Sequence, residues 1–126
     1  MAIYGIGIDL IDIARIQRAV ERRGERFLTR VYTEAERHYC RGKRPPYPCY
    51  AARFAAKEAF LKALGTGLRQ HMRWRDIEVR HDALGKPQLR LSGYLDAHCQ
   101  ALGIRRIHLS LTHSATSAAA QVILER

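Results

Sequence analysis

Two carboxylates and one lysine stand where the chain is otherwise apolar. Asp9 ends one face of the segment IYGIGIDL (3–10), and Glu58 lies four residues before Lys62 in RFAAKEAFLKALGTG (53–67). An isolated carboxylate in an apolar interior must be protonated, paired with a cation or bound to a metal. These residue types therefore indicate either a structural ion pair or a site for phosphate chemistry.

The two alternatives differ in what balances the charge of Glu58. A Glu58–Lys62 pair at i,i+4 has the favoured order, but such a pair contributes only about 0.3–0.5 kcal/mol on a helix surface. A Mg²⁺ ion shared with Asp9 would balance more charge, because Mg²⁺ prefers few carboxylates, several waters and substrate phosphates. The sequence alone does not show that Asp9 and Glu58 meet.

The elements that must position these residues can be predicted from hydrophobic period and turn signals. Thr33 and Glu36 form a capping box, and Gly65 stands where a helix C-terminal glycine belongs. We expect strands at 3–10, 76–82, 87–92, 106–113 and 118–125, and helices at 13–23, 25–32, 34–40, 50–64 and 93–103, with a proline-rich loop at 42–48. This order predicts a single α+β domain over residues 1–126, with an antiparallel sheet packed against a long buried helix and shorter helices.

The first strand and the long helix each have a face that needs an explanation. Gly5 and Gly7 leave the strand face that ends in Asp9 bare, which suits close approach by a ligand or tight packing of a helix. In the helix, Arg53 and Lys57 lie away from Glu58, and we expect them to form a separate charged edge.

Positive charge is concentrated near the N-terminus. The net charge is +10, from 22 Lys and Arg against 12 Asp and Glu, so anionic partners are favoured. A basic stripe over 15–30 can be a solvated face or a docking surface for an acidic protein; its members are Arg15, Arg18, Arg22, Arg26 and Arg30, with Phe27 beside them. A nucleic-acid-binding module is the alternative, but aromatic residues make up only 8% and no nucleic-acid motif is present.

The remaining composition points to a cytoplasmic protein. No apolar run approaches the roughly 20 residues of a membrane span, and the apolar N-terminal segment lacks a basic region. Cys40, Cys49 and Cys99 are odd in number and share no metal-ligand spacing, so we expect three reduced thiols.

Five segments together are similar to one enzyme family. They are GIGIDLIDIARI (5–16), RFAAKEAFLKALGTG (53–67), WRDIEV (74–79), GKP (85–87) and SLTHSATSAAAQVILE (110–125). In order and over essentially the whole chain, they resemble the holo-[acyl-carrier-protein] synthases, the small bacterial type of 4′-phosphopantetheinyl transferase. The match is weakest from Gln17 to Tyr50.

The resemblance implies a reaction and its participants. The family transfers the phosphopantetheine arm of coenzyme A to a serine of apo-acyl carrier protein, as in fatty acid biosynthesis, and releases adenosine 3′,5′-bisphosphate. It implies Mg²⁺ at Asp9 and Glu58, and trimers with one sheet per subunit and active sites between subunits. The coenzyme contacts it implies are Lys62, Pro87, His113 and Ser114, with Gly65 as a C-cap that the coenzyme can approach.

The resemblance and the residue chemistry agree on catalysis. A serine hydroxyl attacks a pyrophosphate ester, so the site must neutralise phosphate charge and hold two reactants together. Asp9, Glu58 and Lys62 are the residues expected to do this. The general base stays open between Glu58, Asp9 acting through a metal-bound water, and a free water. The carrier protein is expected to dock on the basic stripe.

Overall fold

The computed structural model describes all 126 residues and has the predicted α+β order. The strands and helices, in chain order, are β1 Ile3–Asp12, α1 Ile13–Arg23, α2 Glu25–Val31, α3 Glu34–Arg41, α4 Tyr47–Leu64, β2 Ile77–His81, β3 Pro87–Leu91, α5 Gly93–Ala101, β4 Arg106–His113 and β5 Ser117–Glu125. A short 3₁₀ turn, Trp74–Asp76, precedes β2. No helix is long and apolar enough to cross a membrane.

The strands form two antiparallel sheets, where the resemblance implies one. The larger sheet has the order β1-β5-β4, and the hairpin β2-β3 is a separate pair. Asp9 lies opposite Ala120 in the β1–β5 ladder, and His113 lies opposite Ala118 in the β4–β5 ladder. Asp9 and His113 are therefore on the two outer strands of one sheet, with β5 between them.

Helix α4 packs directly on the glycine-bare face of β1. A Cβ atom on Gly5 would collide with the carbonyl oxygen of Ala63, and one on Gly7 would collide with that of Ala59. The two glycines are therefore explained by close helix-on-sheet packing, and the alternative of a ligand approaching at Gly5 and Gly7 is wrong. Close packing here fixes the α4 backbone, and hence Glu58 and Lys62, relative to Asp9.

The opposite face of β1 is uncovered. Ile6, Ile8 and Leu10 are 57%, 65% and 72% exposed. Neighbouring positions on β5 and β4 complete this sheet face, with Gln121 opposite Ile8 and Ser110 opposite Gln121. A row of exposed branched apolar side chains on a regular strand is typical of an interface.

Local signals placed most helix ends correctly. The capping box of α3 is formed, with Thr33 accepting from the Glu36 amide and the Glu36 carboxylate accepting from the Thr33 amide. Gly65 ends α4 in the left-handed conformation, at φ 85°. Helix α4 begins at Tyr47, three residues earlier than predicted, because Pro48 falls in the first turn, where a helix needs no amide donor.

The basic stripe does not lie on one helix. Gly24, at φ 55°, ends α1, so Arg26, Phe27 and Arg30 belong to α2. This break falls between the predicted helices 13–23 and 25–32, so the stripe spans two helices.

The expected charged edge of α4 is buried. Arg53 is 4% exposed and Lys57 is fully buried. The Lys57 ammonium donates to the Glu36 carboxylate at 2.7 Å and to the carbonyl of Val31 at 2.7 Å. Burial lowers the pKa of Lys57, and the neighbouring Glu36 partly opposes that shift. The predicted charged edge is therefore not a surface feature, because α2 and α3 cover this side of the helix.

The expectation of three reduced thiols is also wrong. Cys40 and Cys49 form a disulfide, and Cys99 is a free, buried cysteine. The short loop between α3 and α4 brings the Cα atoms of Cys40 and Cys49 to 5.5 Å, which lies within the range that a disulfide spans.

Candidate active site

Asp9 and Lys62 form the ion pair at the predicted site. The Lys62 ammonium donates to the Asp9 carboxylate at 2.9 Å and to the carbonyl of Ile8 at 3.0 Å. The Asp9 side chain is 14% exposed and that of Lys62 is 54% exposed. Lys62 reaches across to β1 and does not pair with Glu58 within the helix, so the i,i+4 alternative is wrong.

Glu58 lies beside this pair and is half-buried. Burial is the largest cause that raises its pKa, and repulsion from Asp9 adds to it, while Lys62 and Arg15 act in the opposite direction. The structure therefore brings Asp9, Glu58, Lys62 and Arg15 within electrostatic reach of one another. Two carboxylates face one lysine, and an additional cation would be stabilised between them.

The donor set suits a hard divalent cation. Asp9 and Glu58 are carboxylates, and no group of three or more His, Cys, Asp or Glu side chains is clustered for a metal. Two protein ligands fit Mg²⁺, which completes its shell with water and substrate phosphate, better than they fit a structural zinc site. The raised pKa of Glu58 fits the same ion, because a bound cation relieves repulsion between the two carboxylates.

A second cluster of cations lines a cleft of about 350 Å³ on the other side of α4. Its charged and titratable members come from the α3–α4 loop, α4, β2 and β4; they are Lys43, Arg53, His81 and His113. The Arg53 guanidinium and the Lys43 ammonium lie 4.5 and 4.8 Å from the centre of the Tyr39 ring. Tyr39 in turn stacks on His81, with their ring centres 5.1 Å apart.

No carboxylate lines this cleft, although Glu36 opposes the lowering of the Arg53 pKa and Asp82 opposes that of the His81 pKa. Burial lowers the pKa of His81, and Arg53 and Lys43 lower it further. The Arg53 Nε atom is buried and has no hydrogen-bond partner. A buried donor without a partner is costly, so this cleft favours an anion that can accept from it.

The basic stripe lies next to the two carboxylates Asp9 and Glu58. A depression of about 300 Å³ is lined by Arg15, Arg18 and Arg22 together with Phe27 and Phe54. Arg15 also lies close enough to Glu58 to lower its pKa. Arg30 lines a separate depression with Trp74.

The predicted coenzyme contacts fall into different places. Lys62 and Glu58 are on one face of α4. The cleft with His113 meets α4 through Pro48, Cys49, Ala52 and Arg53, which lie roughly 80–180° around the axis from Glu58 at 100° per residue. Pro87 begins β3 opposite His81. The Ser114 hydroxyl accepts from the amides of Thr116 and Ser117 in the β4–β5 turn. One chain therefore does not bring His113 and Ser114 together with Asp9.

Three residues of the cleft were missed from the sequence. Lys43 and His81 lie outside the five segments that carry the resemblance, Arg53 begins the segment 53–67, and only the fold places the three together. Arg53 was the one member that the sequence could have indicated, because an arginine in a helix that is apolar nearly all round suggests a buried charge with a specific role.

Comparison with known proteins gives consistent results over nearly the whole length. A family model described as the 4′-phosphopantetheinyl transferase superfamily matches residues 5–121. The holo-[acyl-carrier-protein] synthase of Halothermothrix orenii is 51% identical over 123 residues, which are 98% of this chain and 98% of that one.

Solved structures agree with the sequence matches. The crystal structure of holo-[acyl-carrier-protein] synthase from Neisseria meningitidis superposes with a TM-score of 0.93 at 38% identity, over 99% of this chain and 100% of that chain. The Helicobacter pylori holo-[acyl-carrier-protein] synthase in complex with coenzyme A gives 0.85 at 32% identity, over 95% and 99%. On these matches, the chain belongs to the 4′-phosphopantetheinyl transferase superfamily.

Proposed function

We propose that this protein transfers the 4′-phosphopantetheine arm of coenzyme A to a serine hydroxyl of an apo-acyl carrier protein and releases adenosine 3′,5′-bisphosphate. The observation that carries the proposal is the Asp9–Lys62–Glu58 group, in which two carboxylates and a lysine lie together beside a basic surface. The relatives named as holo-[acyl-carrier-protein] synthases, one of them bound to coenzyme A, support the same reaction. The comparisons give no support to the alternative of a nucleic-acid-binding module.

Mg²⁺ is proposed as the cofactor, with Asp9 and Glu58 as its protein ligands. When bound, it supplies charge neutralisation at the pyrophosphate of the coenzyme. Lys62 is half exposed, so its side chain can leave Asp9 and place its ammonium against a phosphate oxygen of the leaving group. Glu58, which is half-buried beside the Asp9–Lys62 pair, is proposed as the acceptor for the serine proton.

The cleft lined by Lys43, Arg53, His81 and His113, here called the cation cleft, is proposed to bind the phosphorylated nucleotide end of coenzyme A. Arg53 has a buried donor to offer a phosphate oxygen, and Tyr39 and His81 give flat surfaces for a base. His113 also lines this cleft, which supports the proposal that it contacts the coenzyme. Gly65, Pro87 and Ser114 do not line this cleft and do not take part in the Asp9–Lys62 ion pair. Their contacts with the coenzyme stay predictions.

A trimer is proposed because two parts of the site lie apart in one chain, namely the Asp9–Glu58–Lys62 group and the cleft that His113 lines. Asp9 is on β1 and His113 on β4, the two outer strands of the sheet, and the apolar face of β1 is exposed. Association through that face would let the β1 side of one subunit meet the β4 side of the next. The active site would then lie between subunits, in the cytoplasm, where we expect the protein to act.

Intact mass spectrometry of the carrier protein tests the proposed function. The protein is incubated with coenzyme A, Mg²⁺ and an apo-acyl carrier protein, and we expect the carrier to gain the mass of one phosphopantetheine. A carrier whose acceptor serine is replaced by alanine is the control and should gain nothing. An unmodified wild-type carrier after long incubation would refute the proposal.

A further inference from the structure

A disulfide forms part of the wall of the cation cleft. It joins Cys40, in the last turn of α3, to Cys49, in the first turn of α4. Cys40 is fully buried, whereas Cys49 is partly exposed and lines the cleft with Lys43 and Arg53. One sulfur of the pair is thus open to a reagent in the cleft and the other is not.

The exposed sulfur has a cation beside it. The Arg53 guanidinium donates to Cys49 Sγ at 3.1 Å. In the reduced protein, a guanidinium next to Cys49 favours its thiolate form, which leaves readily from a mixed disulfide and can attack to re-form the disulfide. Cys99 is the opposite case, since burial raises its pKa to about 11, with a smaller contribution from Asp96. The cysteines therefore include one reactive position and one inert position.

We propose that Cys40 and Cys49 are a reversible thiol–disulfide site that controls the affinity of the cleft for a phosphorylated nucleotide. A thiolate of a small dithiol reductant attacks Cys49 Sγ, the sulfur–sulfur bond breaks, and Cys40 leaves as a thiolate that takes up a proton. The second thiol of the reductant then attacks the mixed disulfide and releases Cys49. Two electrons pass to the protein, and the reductant becomes a disulfide.

Reduction should weaken nucleotide binding for two reasons. The disulfide closes the loop 41–48, which holds Lys43 at the cleft, and opening it leaves that loop to be ordered by the ligand. A Cys49 thiolate would also place a negative charge beside Arg53, where the phosphate is expected. This step rests on the proposed function, which assigns the nucleotide end of coenzyme A to this cleft.

The test measures binding of adenosine 3′,5′-bisphosphate, which has no thiol and cannot itself exchange with the disulfide. Calorimetry compares the oxidised protein with protein reduced by dithiothreitol. We expect the Kd to rise roughly three- to tenfold on reduction. Cys49→Ser and Cys40→Ala should lose this response to the reductant, and Cys99→Ser, the matched control, should keep it. The use of two variants guards against one of them failing to fold.

A chemical readout accompanies the binding data. Intact mass should show the oxidised chain lighter by two hydrogens, and iodoacetamide should label Cys49 only after reduction, more slowly when the nucleotide is present. Equal affinity in both redox states, or a chain that never forms the disulfide in air, would overturn the inference. Transfer to the carrier with no redox response would sink the redox site alone, whereas a redox response without transfer would sink the proposed function alone.

Discussion

At the scale of single residues, Lys62 does two things to the candidate site. Its ammonium balances Asp9 directly, and its charge also keeps the pKa of Glu58 from rising further. The same side chain is half exposed and can turn toward a substrate phosphate. These roles can be separated, because one acts on the pH dependence and the other on turnover.

Lys62→Met should lower kcat by roughly 100-fold, as loss of one charge-stabilising group typically does, with little change in the KM for the carrier protein. It should also move the acid limb of the pH–rate profile to higher pH, because Glu58 must be ionised and loses a cation that lowers its pKa. Lys62→Arg keeps the charge, and its acid limb should stay in place. An unmoved acid limb in Lys62→Met would contradict this account of Glu58.

At the scale of elements, a buried ion pair holds α4 in register. The Lys57 ammonium binds Glu36 of α3 and the last residue of α2, and the other oxygen of Glu36 accepts the amide of Val79 on β2 at 2.8 Å. The Lys57–Glu36 pair thus links α2, α3 and β2 to α4. Glu58 directly follows Lys57 on α4, so the pair also helps to fix the position of Glu58.

Lys57→Met should cost about 3–5 kcal/mol in the free energy of unfolding, because Glu36 is left buried without its cation. Adding Glu36→Gln should restore part of that loss, since the amide oxygen can still accept from a backbone amide. Urea unfolding of the wild type and of these two variants measures both effects. A cost below about 1 kcal/mol for Lys57→Met alone would show that the pair is not a structural link.

The sequence predicted the features that neighbouring residues determine and missed those that depend on the packing of distant elements. The α3 capping box, the Gly65 cap and the hairpin were correct, because neighbouring residues determine them. Asp9, Glu58 and Lys62 were brought together as expected, because their segments carry a specific resemblance. Lys57–Glu36 and Cys40–Cys49 were missed, because each depends on how α3 packs on α4, which no local pattern reports.

At the scale of the whole molecule, the exposed face of β1 should hold the proposed trimer together. Sedimentation equilibrium should give three times the chain mass for the wild type and one chain mass for Ile8→Glu, because a charge would be buried at the interface. Leu84→Glu is the matched control, since Leu84 is 96% exposed at a hairpin turn away from that face. A wild type that is monomeric at micromolar concentration would contradict the trimer.

The basic stripe should act on the carrier protein and not on the coenzyme. Arg18→Ala/Arg22→Ala should raise the KM for the carrier roughly five- to tenfold, about 0.5–0.7 kcal/mol for each arginine, and less at high salt. Arg15 is left intact because it also lowers the pKa of Glu58. Arg105→Ala/Arg106→Ala removes the same charge near the start of β4 and should leave that KM unchanged. Equal losses for both substrates would show that the stripe is not the docking surface.

The central claim is that Asp9 and Glu58 carry out the transfer, and the rate of carrier modification by Glu58→Gln tests it most directly. Mass spectrometry at saturating Mg²⁺ should show the rate fall by about 100-fold or more. Without Mg²⁺, the melting temperature should be unchanged or higher at neutral pH, because burial raises the pKa of Glu58 and its ionised form therefore destabilises the metal-free fold. Glu34→Gln, an exposed glutamate in the first turn of α3, should retain the wild-type rate. A near wild-type rate for Glu58→Gln would contradict the assignment.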